Sequence, residues 1–199
     1  DFDDAFSDAR EFMCSDDLQE FIETHHLGRA SGVQVGMNGG HCNPRIVFGT
    51  ATAKDHIYNT PRAWYMYRYL DLDDAENHTP ESDDIPWCLE PEHAVTVEDV
   101  DFLLGSHYEG TPYDPYGTQG TEESRHRYRP IGINRTGHMV AMQIRPYAPV
   151  ESRSIMWISY GSGAFTTSAP FYANVDDTPA YLRDTTPEVS TDCLYWTNR

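Results

Sequence analysis

The apolar residues of this chain change their period part-way along, and that change restricts the folds open to it. Before about residue 110 they recur at three- and four-residue spacing. After about residue 130 they fall into short runs that alternate or stand between turn residues. Helical patterns are expected over Ser15 to Thr24, where Ser15 can cap, Asp16 and Asp17 suit the positive end of the dipole, and Leu18, Phe21 and Ile22 share a face. A second helix begins at Thr60, with Pro61 in its first turn and Ala63, Tyr67 and Leu70 on one stripe beside Trp64. A third runs from Thr96, which forms a capping-box pair with Asp99, and carries Val97, Val100, Leu103 and Leu104 on its apolar face. Strands are expected at Ile131 to Asn134, His138 to Arg145, Ile155 to Tyr160 and Ala164 to Ala173. Arg135-Thr136-Gly137 would form the first hairpin. The pattern predicts an α+β fold, with helices in the first half and an antiparallel sheet in the second.

Three stretches fall between these elements. Gly28 to Asn43 is glycine-rich and reads as loop, with a short extended piece, Arg45 to Gly49, after it. The acidic, proline-containing run Asp71 to Pro86 reads as an exposed connector or insertion. Pro112 to Arg129, rich in Gly, Tyr, Thr and charge, reads as a long loop of the kind that is functional or mobile. At 199 residues the chain is expected to be a single domain, 1–199, mainly helix and loop over 1–110 and mainly strands over 111–199.

Charge and cysteine usage exclude several function classes. Thirty-two acidic residues face 14 basic ones, a net charge of −18, and such a field repels nucleic-acid backbones and anionic membranes. The cluster Arg125, His126, Arg127 and Arg129 is the nearest approach to a basic patch, and reads as a solvated or ion-paired loop. No apolar run approaches the roughly 18 residues of a membrane span. Cys14, Cys42, Cys88 and Cys193 are widely spaced and form no CxxC pair, which argues against a zinc ribbon or redox motif. Four thiols could form two disulfides in a secreted protein, but they are expected to be reduced and mostly buried, in the cytoplasm. Because the chain opens at Asp1, further sequence is expected upstream.

The polar residues with chemical potential cluster in two words. In Tyr58-Asn59-Thr60-Pro61-Arg62-Ala63-Trp64, Asn59 stands just ahead of a rigid helix start. By local sequence it reads as an ordinary turn residue before a helix, though a side-chain N–H held there can stabilise an oxyanion. In His107-Tyr108-Glu109-Gly110-Thr111, His107 and Glu109 suggest a metal site or general base, but an i to i+2 spacing does not put two ligands on one helical face, so a residue closing the helix is the expected role. Asp114 is expected to cap the turn at Pro115, and the His25-His26 pair to be solvated. The Asp71, Asp73, Asp74, Glu76 run lacks the glycine and terminal glutamate of an EF-hand loop, and Gly161-Ser162-Gly163 lacks nucleophile-elbow spacing. The sequons at Asn77 and Asn134 carry no weight.

Taken together, YNTPRAW, SHYEGTPYDPYG, YRPIGINRT and the Ala169 to Tyr181 run APFYANVDDTPAY resemble the C69 family of dipeptidases, which are N-terminal-nucleophile hydrolases. The resemblance implies a four-layer αββα sandwich, of which this chain would supply one part. It implies peptide-bond hydrolysis by a cysteine freed as residue one, whose own α-amino group acts as base, with water resolving the acyl-enzyme. In related hydrolases an Asn-x-Pro followed by Trp supplies an oxyanion-hole amide, and an arginine before a core strand reaches the cysteine. By that likeness Asn59 and Arg129 are the catalytic candidates, with Arg125 and Arg127 as neighbouring competitors for the second role. No metal or organic cofactor is implied. The implied partners are a dipeptide substrate and a missing N-terminal segment of the same protein, with room for a homo-oligomer. Residue 1 is Asp and Cys14 is internal, so the nucleophile is expected outside this chain and the fragment is expected to be inactive. A non-catalytic β-rich binding or interaction module also fits the composition.

Overall fold

The computed structural model describes residues 15–27, 48–50, 52–70, 75–86, 90–163 and 166–198. The chain divides into two compact units, residues 1–55 and 56–199. In the first, α1 spans Leu18–Thr24. Asp17, not Ser15, is its N-cap, and no side chain completes the cap. Ser15 instead offers its carbonyl to the Leu18 N–H. Of the expected apolar face Ile22 is buried, whereas Phe21 is half exposed and its ring rests against His25. The glycine-rich stretch 28–43 and most of Arg45 to Gly49 lie outside the described residues.

The second unit opens within α2, Asp55–Tyr58, and continues with α3, Thr60–Leu70. Pro61 occupies the first turn of α3, where its missing N–H costs nothing. The buried side of α3 is Pro61, Trp64, Tyr65 and Tyr67, broader than the expected stripe because aromatic rings reach further round the helix than aliphatic side chains. Next comes α4, Val97–Gly105, with the expected capping box: the Thr96 side chain accepts from the Asp99 N–H, and the Asp99 carboxylate accepts from the Thr96 N–H.

The core consists of Trp64, Tyr65, Tyr67, Ala75, Ile85, Leu103, Tyr108 and Tyr128. Ala75 and Ile85 correct one expectation, since the acidic run 71–86 is not simply an exposed connector. Within residues 75–86 Ala75 and Ile85 turn inward, and polar atoms are used as well. The His78 carbonyl accepts the Trp64 indole N–H, and Glu81 accepts the Tyr128 hydroxyl.

After a short helix α5, Glu122–Arg125, three strands form an antiparallel meander in the order β1-β2-β3: β1 His138–Ile144, β2 Ser154–Tyr160 and β3 Ala169–Tyr172. Met142 pairs with Met156 and Met156 with Phe171, which fixes which residues share a face. The face bearing Met139, Ala141, Ile155 and Ser159 is buried and α4 packs on β1. A chain of hydroxyls from Ser159 through Ser168 reaches the Asp101 carboxylate of α4. The opposite face exposes Met142, Ile144 and Met156. The mixture of helices and antiparallel sheet is the expected α+β arrangement. Two short helices close the described chain, α6 Ala180–Arg183 and α7 Leu194–Thr197.

Ile131 to Asn134 is not a strand, so Arg135-Thr136-Gly137 is not a hairpin between strands. The cause is a close backbone crossing. The Gly132 N–H donates to the Ser106 carbonyl at 2.7 Å, and a Cβ on Gly132 would meet the Gly105 oxygen at 2.2 Å. This segment is therefore held against the end of α4 and cannot join a sheet ladder.

Candidate functional site

The end of α4 builds the scaffold of the site. Ser106 closes the helix, its buried hydroxyl donating to the Leu103 carbonyl. His107 was expected in that role and does not take it. Tyr108 then adopts a φ of 72° and Gly110 a φ of 76°. Such a backbone is natural for glycine and costs of order 1 kcal/mol or more for tyrosine. Burial of the Tyr108 ring offsets that cost: the side chain is fully buried, stacks edge-on against Tyr65 at 5.5 Å, and donates its hydroxyl to the Arg129 carbonyl at 2.6 Å. Burial also holds the Tyr108 and Tyr65 hydroxyls well above their ordinary pKa, so both remain donors at any working pH.

This turn gathers what linear spacing kept apart. His107 Nδ1 lies 2.7 Å from Asp114 Oδ1, and Nε2 lies 3.1 Å from Glu109 Oε1. Glu109 also accepts the His107 backbone N–H and the Tyr65 hydroxyl, and Asp114 accepts the Tyr116 N–H, the turn-capping role expected of it. Both ring nitrogens of His107 face carboxylates, which leaves none for a metal ion. Among the described residues no group of three or more His, Cys, Asp or Glu side chains is gathered as a metal site requires.

Tyr108 in turn positions Arg129. The Arg129 N–H donates to the Ile57 carbonyl at 3.0 Å, and its carbonyl accepts both from Tyr108 and from Arg62 Nε at 3.3 Å. With its backbone clamped from both sides, Arg129 carries its guanidinium 5.7 Å above the Tyr58 ring. Next to it, Tyr128 is buried and bonds Glu81 at 2.7 Å, while Arg127 pairs with the same carboxylate oxygen at 2.6 Å. Burial first, and then Glu81, pushes the Tyr128 hydroxyl upward, and the Tyr128 bond followed by Arg127 holds Glu81 below the usual carboxylate range. This lock orients residues 127–129 as a unit.

Between Ile57-Tyr58 and residues 126–135 lies a cleft of about 340 Å³. Arg129 lines it. Asn59 does not; it is exposed, one residue beyond Tyr58, with its carbonyl accepting from the Arg62 and Ala63 N–H groups of the first turn of α3. The two expected site residues thus lie on segments joined by the Arg129–Ile57 hydrogen bond. Arg125, the competitor on the same loop, bonds the Gly117 carbonyl and Glu122 and is not among the lining residues. Sequence reasoning missed Arg62, Tyr108 and Arg135. The first two stand inside the words YNTPRAW and HYEGT, but nothing local marks them as partners of Arg129.

Comparison with known proteins matches residues 1–199 to the model of peptidase family C69. The chain belongs to peptidase family C69. It is 53% identical to a protein named "Dipeptidase" from Bifidobacterium longum (strain NCC 2705), an alignment covering 100% of this chain and 38% of that protein. It is 44% identical to "Probable dipeptidase A" of Streptococcus pyogenes serotype M18, covering 98% and 39%, and 37% identical to "Dipeptidase A" of Lactobacillus helveticus, covering 98% and 39%. This C69 chain therefore spans about two fifths of the length of the relatives it matches. Among its described residues no helix is long and apolar enough to cross a membrane, and Cys193 is a buried thiol outside any disulfide, 3.9 Å from the Thr185 hydroxyl.

Proposed function

We propose that this chain is part of a cysteine-type dipeptidase, in which Asn59 supplies an oxyanion donor and Arg129 a guanidinium beside a nucleophilic cysteine carried elsewhere in the protein. The observation that carries this reading is family membership over all 199 residues, with relatives that are named dipeptidases. Two features of the site support the residue roles. Arg129 is clamped at both ends of its backbone and faces a cleft, as a positioning cation must be. Ile57 and Tyr58, which immediately precede Asn59, form the opposite wall.

In the proposed reaction the cysteine thiolate attacks the peptide carbonyl, and the α-amino group of that cysteine takes the thiol proton and returns it to the leaving amine. Water then hydrolyses the thioester and frees the cysteine. Asn59 donates to the oxygen that becomes negative in each tetrahedral intermediate. Arg129 stabilises the thiolate and fixes its place. Among the described residues the one cysteine, Cys193, is buried and does not line the cleft, which supports a nucleophile supplied from outside them. The unpaired thiol also suits a reducing, cytoplasmic setting.

The exposed apolar face of the sheet, with Met142, Ile144 and Met156, supports the αββα arrangement, because a second sheet packed on it would complete the sandwich. Steady-state kinetics of the whole enzyme test the proposal. Asn59→Ala is expected to lower kcat about a hundred- to thousandfold. The isolated 199-residue chain is expected to hydrolyse no dipeptide. Turnover by that chain alone, or an Asn59→Ala enzyme with full kcat, overturns the reading.

A further inference from the structure

The cleft is an exception within its own chain. Acidic residues outnumber basic ones 32 to 14, yet none of the ten described residues lining it is acidic. Four of them are basic: His126, Arg127, Arg129 and Arg135. Two of these are already matched, Arg127 by Glu81 at 2.6 Å and His126 by Glu122 at 3.2 Å. Among the described residues no carboxylate pairs with Arg129 or Arg135. Among the described residues the Arg129 guanidinium meets the Tyr58 ring, a contact that brings no acceptor oxygen to its N–H groups.

Two guanidiniums facing a cleft whose described lining holds no carboxylate make an anion site, and arginine binds carboxylates in a forked, two-bond geometry. The remaining walls narrow the choice of anion. Ile57, Tyr58, Pro130 and Ile133 offer apolar surface beside the polar Asn134, and the open space of about 340 Å³ has room for a small organic molecule. An anion with an apolar side chain fits these walls better than a bare inorganic ion does.

We propose that the cleft binds a small organic carboxylate at Arg135, with its apolar part against Tyr58 and Ile133 and its other end toward Arg129. The identity of the ligand rests on the dipeptidase reading: the carboxylate is the free α-carboxylate of the substrate, and Arg135 is the residue that selects it. The layout agrees with what a dipeptide requires. Its scissile carbonyl and its α-carboxylate are separated by one residue, about 3.8 Å of chain. One cleft must therefore serve both ends. Arg129 is half-buried beside the Ile57–Asn59 segment, and Arg135 is exposed at the rim. A peptide that continued past this point, or ended in an amide, would leave the Arg135 charge without its partner.

The test has two arms. In the first, the chain is titrated with N-acetyl-leucine, N-acetyl-leucinamide and inorganic phosphate, and binding is followed by NMR shifts of the cleft residues. N-acetyl-leucine is expected to bind, the amide to fail, and phosphate to bind at least several-fold more weakly. Arg135→Gln is expected to weaken the acid about tenfold or more, and Arg135→Lys to recover part of the loss. Arg135 is exposed, so these variants should fold as the parent does. Equal binding of acid and amide, equal binding of phosphate, or indifference to Arg135→Gln overturns the inference. In the second arm, Arg135→Gln in the whole enzyme is expected to raise KM for a dipeptide about tenfold with little change in kcat. Carboxylate binding that depends on Arg135 in a protein that hydrolyses no dipeptide would keep the site and discard the dipeptidase reading. Dipeptide hydrolysis with a KM untouched by Arg135→Gln would do the reverse.

Discussion

The block built by α3, α4 and residues 106–132 and the sheet built by β1–β3 solve the problem of burial in opposite ways. In the first, the apolar surface is closed on itself: eight core residues, five of them Tyr or Trp, interlock edge to face, and their hydroxyls and indole find acceptors in carbonyls and carboxylates. In the sheet only one face is covered. Its other face leaves Met142 82% and Ile144 74% exposed, beside a more sheltered Phe171. The self-contained region is the one that carries the cleft, and the half-covered one is a framework whose outer surface is available to another layer. Rigidity is concentrated where side chains have to be aimed, since a cleft cation positioned through its own backbone moves whenever that backbone moves.

The contrast is broken most forcefully at Gly132. A Cβ there would come within 2.2 Å of the Gly105 oxygen, a backbone atom that cannot swing aside. Gly132→Ala is expected to destabilise the chain by about 2–3 kcal/mol in urea unfolding. A loss below about 0.5 kcal/mol would mean that the crossing is not as tight as described. The sheet should respond differently. Met142→Lys with Ile144→Lys is expected to leave the stability of the isolated chain within about 0.5 kcal/mol of the parent and to reduce its self-association on sizing chromatography. In the whole enzyme the same pair should be markedly destabilising, because a covered lysine loses its water. Equal effects in both settings would remove the argument for a second layer.

The smallest effect is expected at the start of α4. The Thr96 backbone N–H, followed by the Tyr69 and Thr96 hydroxyls, draws Asp99 from 3.8 down to about 2. A carboxyl whose pKa is lowered by folding stabilises the native state above its unfolded pKa, and that contribution fades as pH falls through the folded one. The loss should therefore fall between about pH 4 and pH 2. Asp99→Asn is expected to flatten the stability profile in that window and nowhere else, as read by denaturant midpoints across pH.

The features that could be read in advance are those whose cause is local. The Thr96–Asp99 box, Pro61 in the first turn of α3 and the alternation of β1 and β2 each depend on neighbours within about four residues. The failures have causes further off. Ile131 to Asn134 has a strand's composition but lies against Gly105, and the acidic run 71–86 has a connector's composition but inserts Ala75 and Ile85 into the core. The candidates Asn59 and Arg129 came from words in a family pattern, and of the two only Arg129 lines the cleft. The hand that positions Arg129 was not legible, because a tyrosine at positive φ leaves no mark in the sequence.

By itself the sequence determined the longer helices ahead of the strands β1–β3, the net acidic charge, and membership of the family, since composition, period and motif are properties of the chain before it folds. Only the tertiary structure decided which of four basic groups in one cleft are matched and which remain open to a ligand. Glu81 and Arg127 are 46 residues apart, and Tyr108 and Arg129 are 21. Their pairing follows from packing, which brings charges within hydrogen-bond reach at separations that no local pattern encodes.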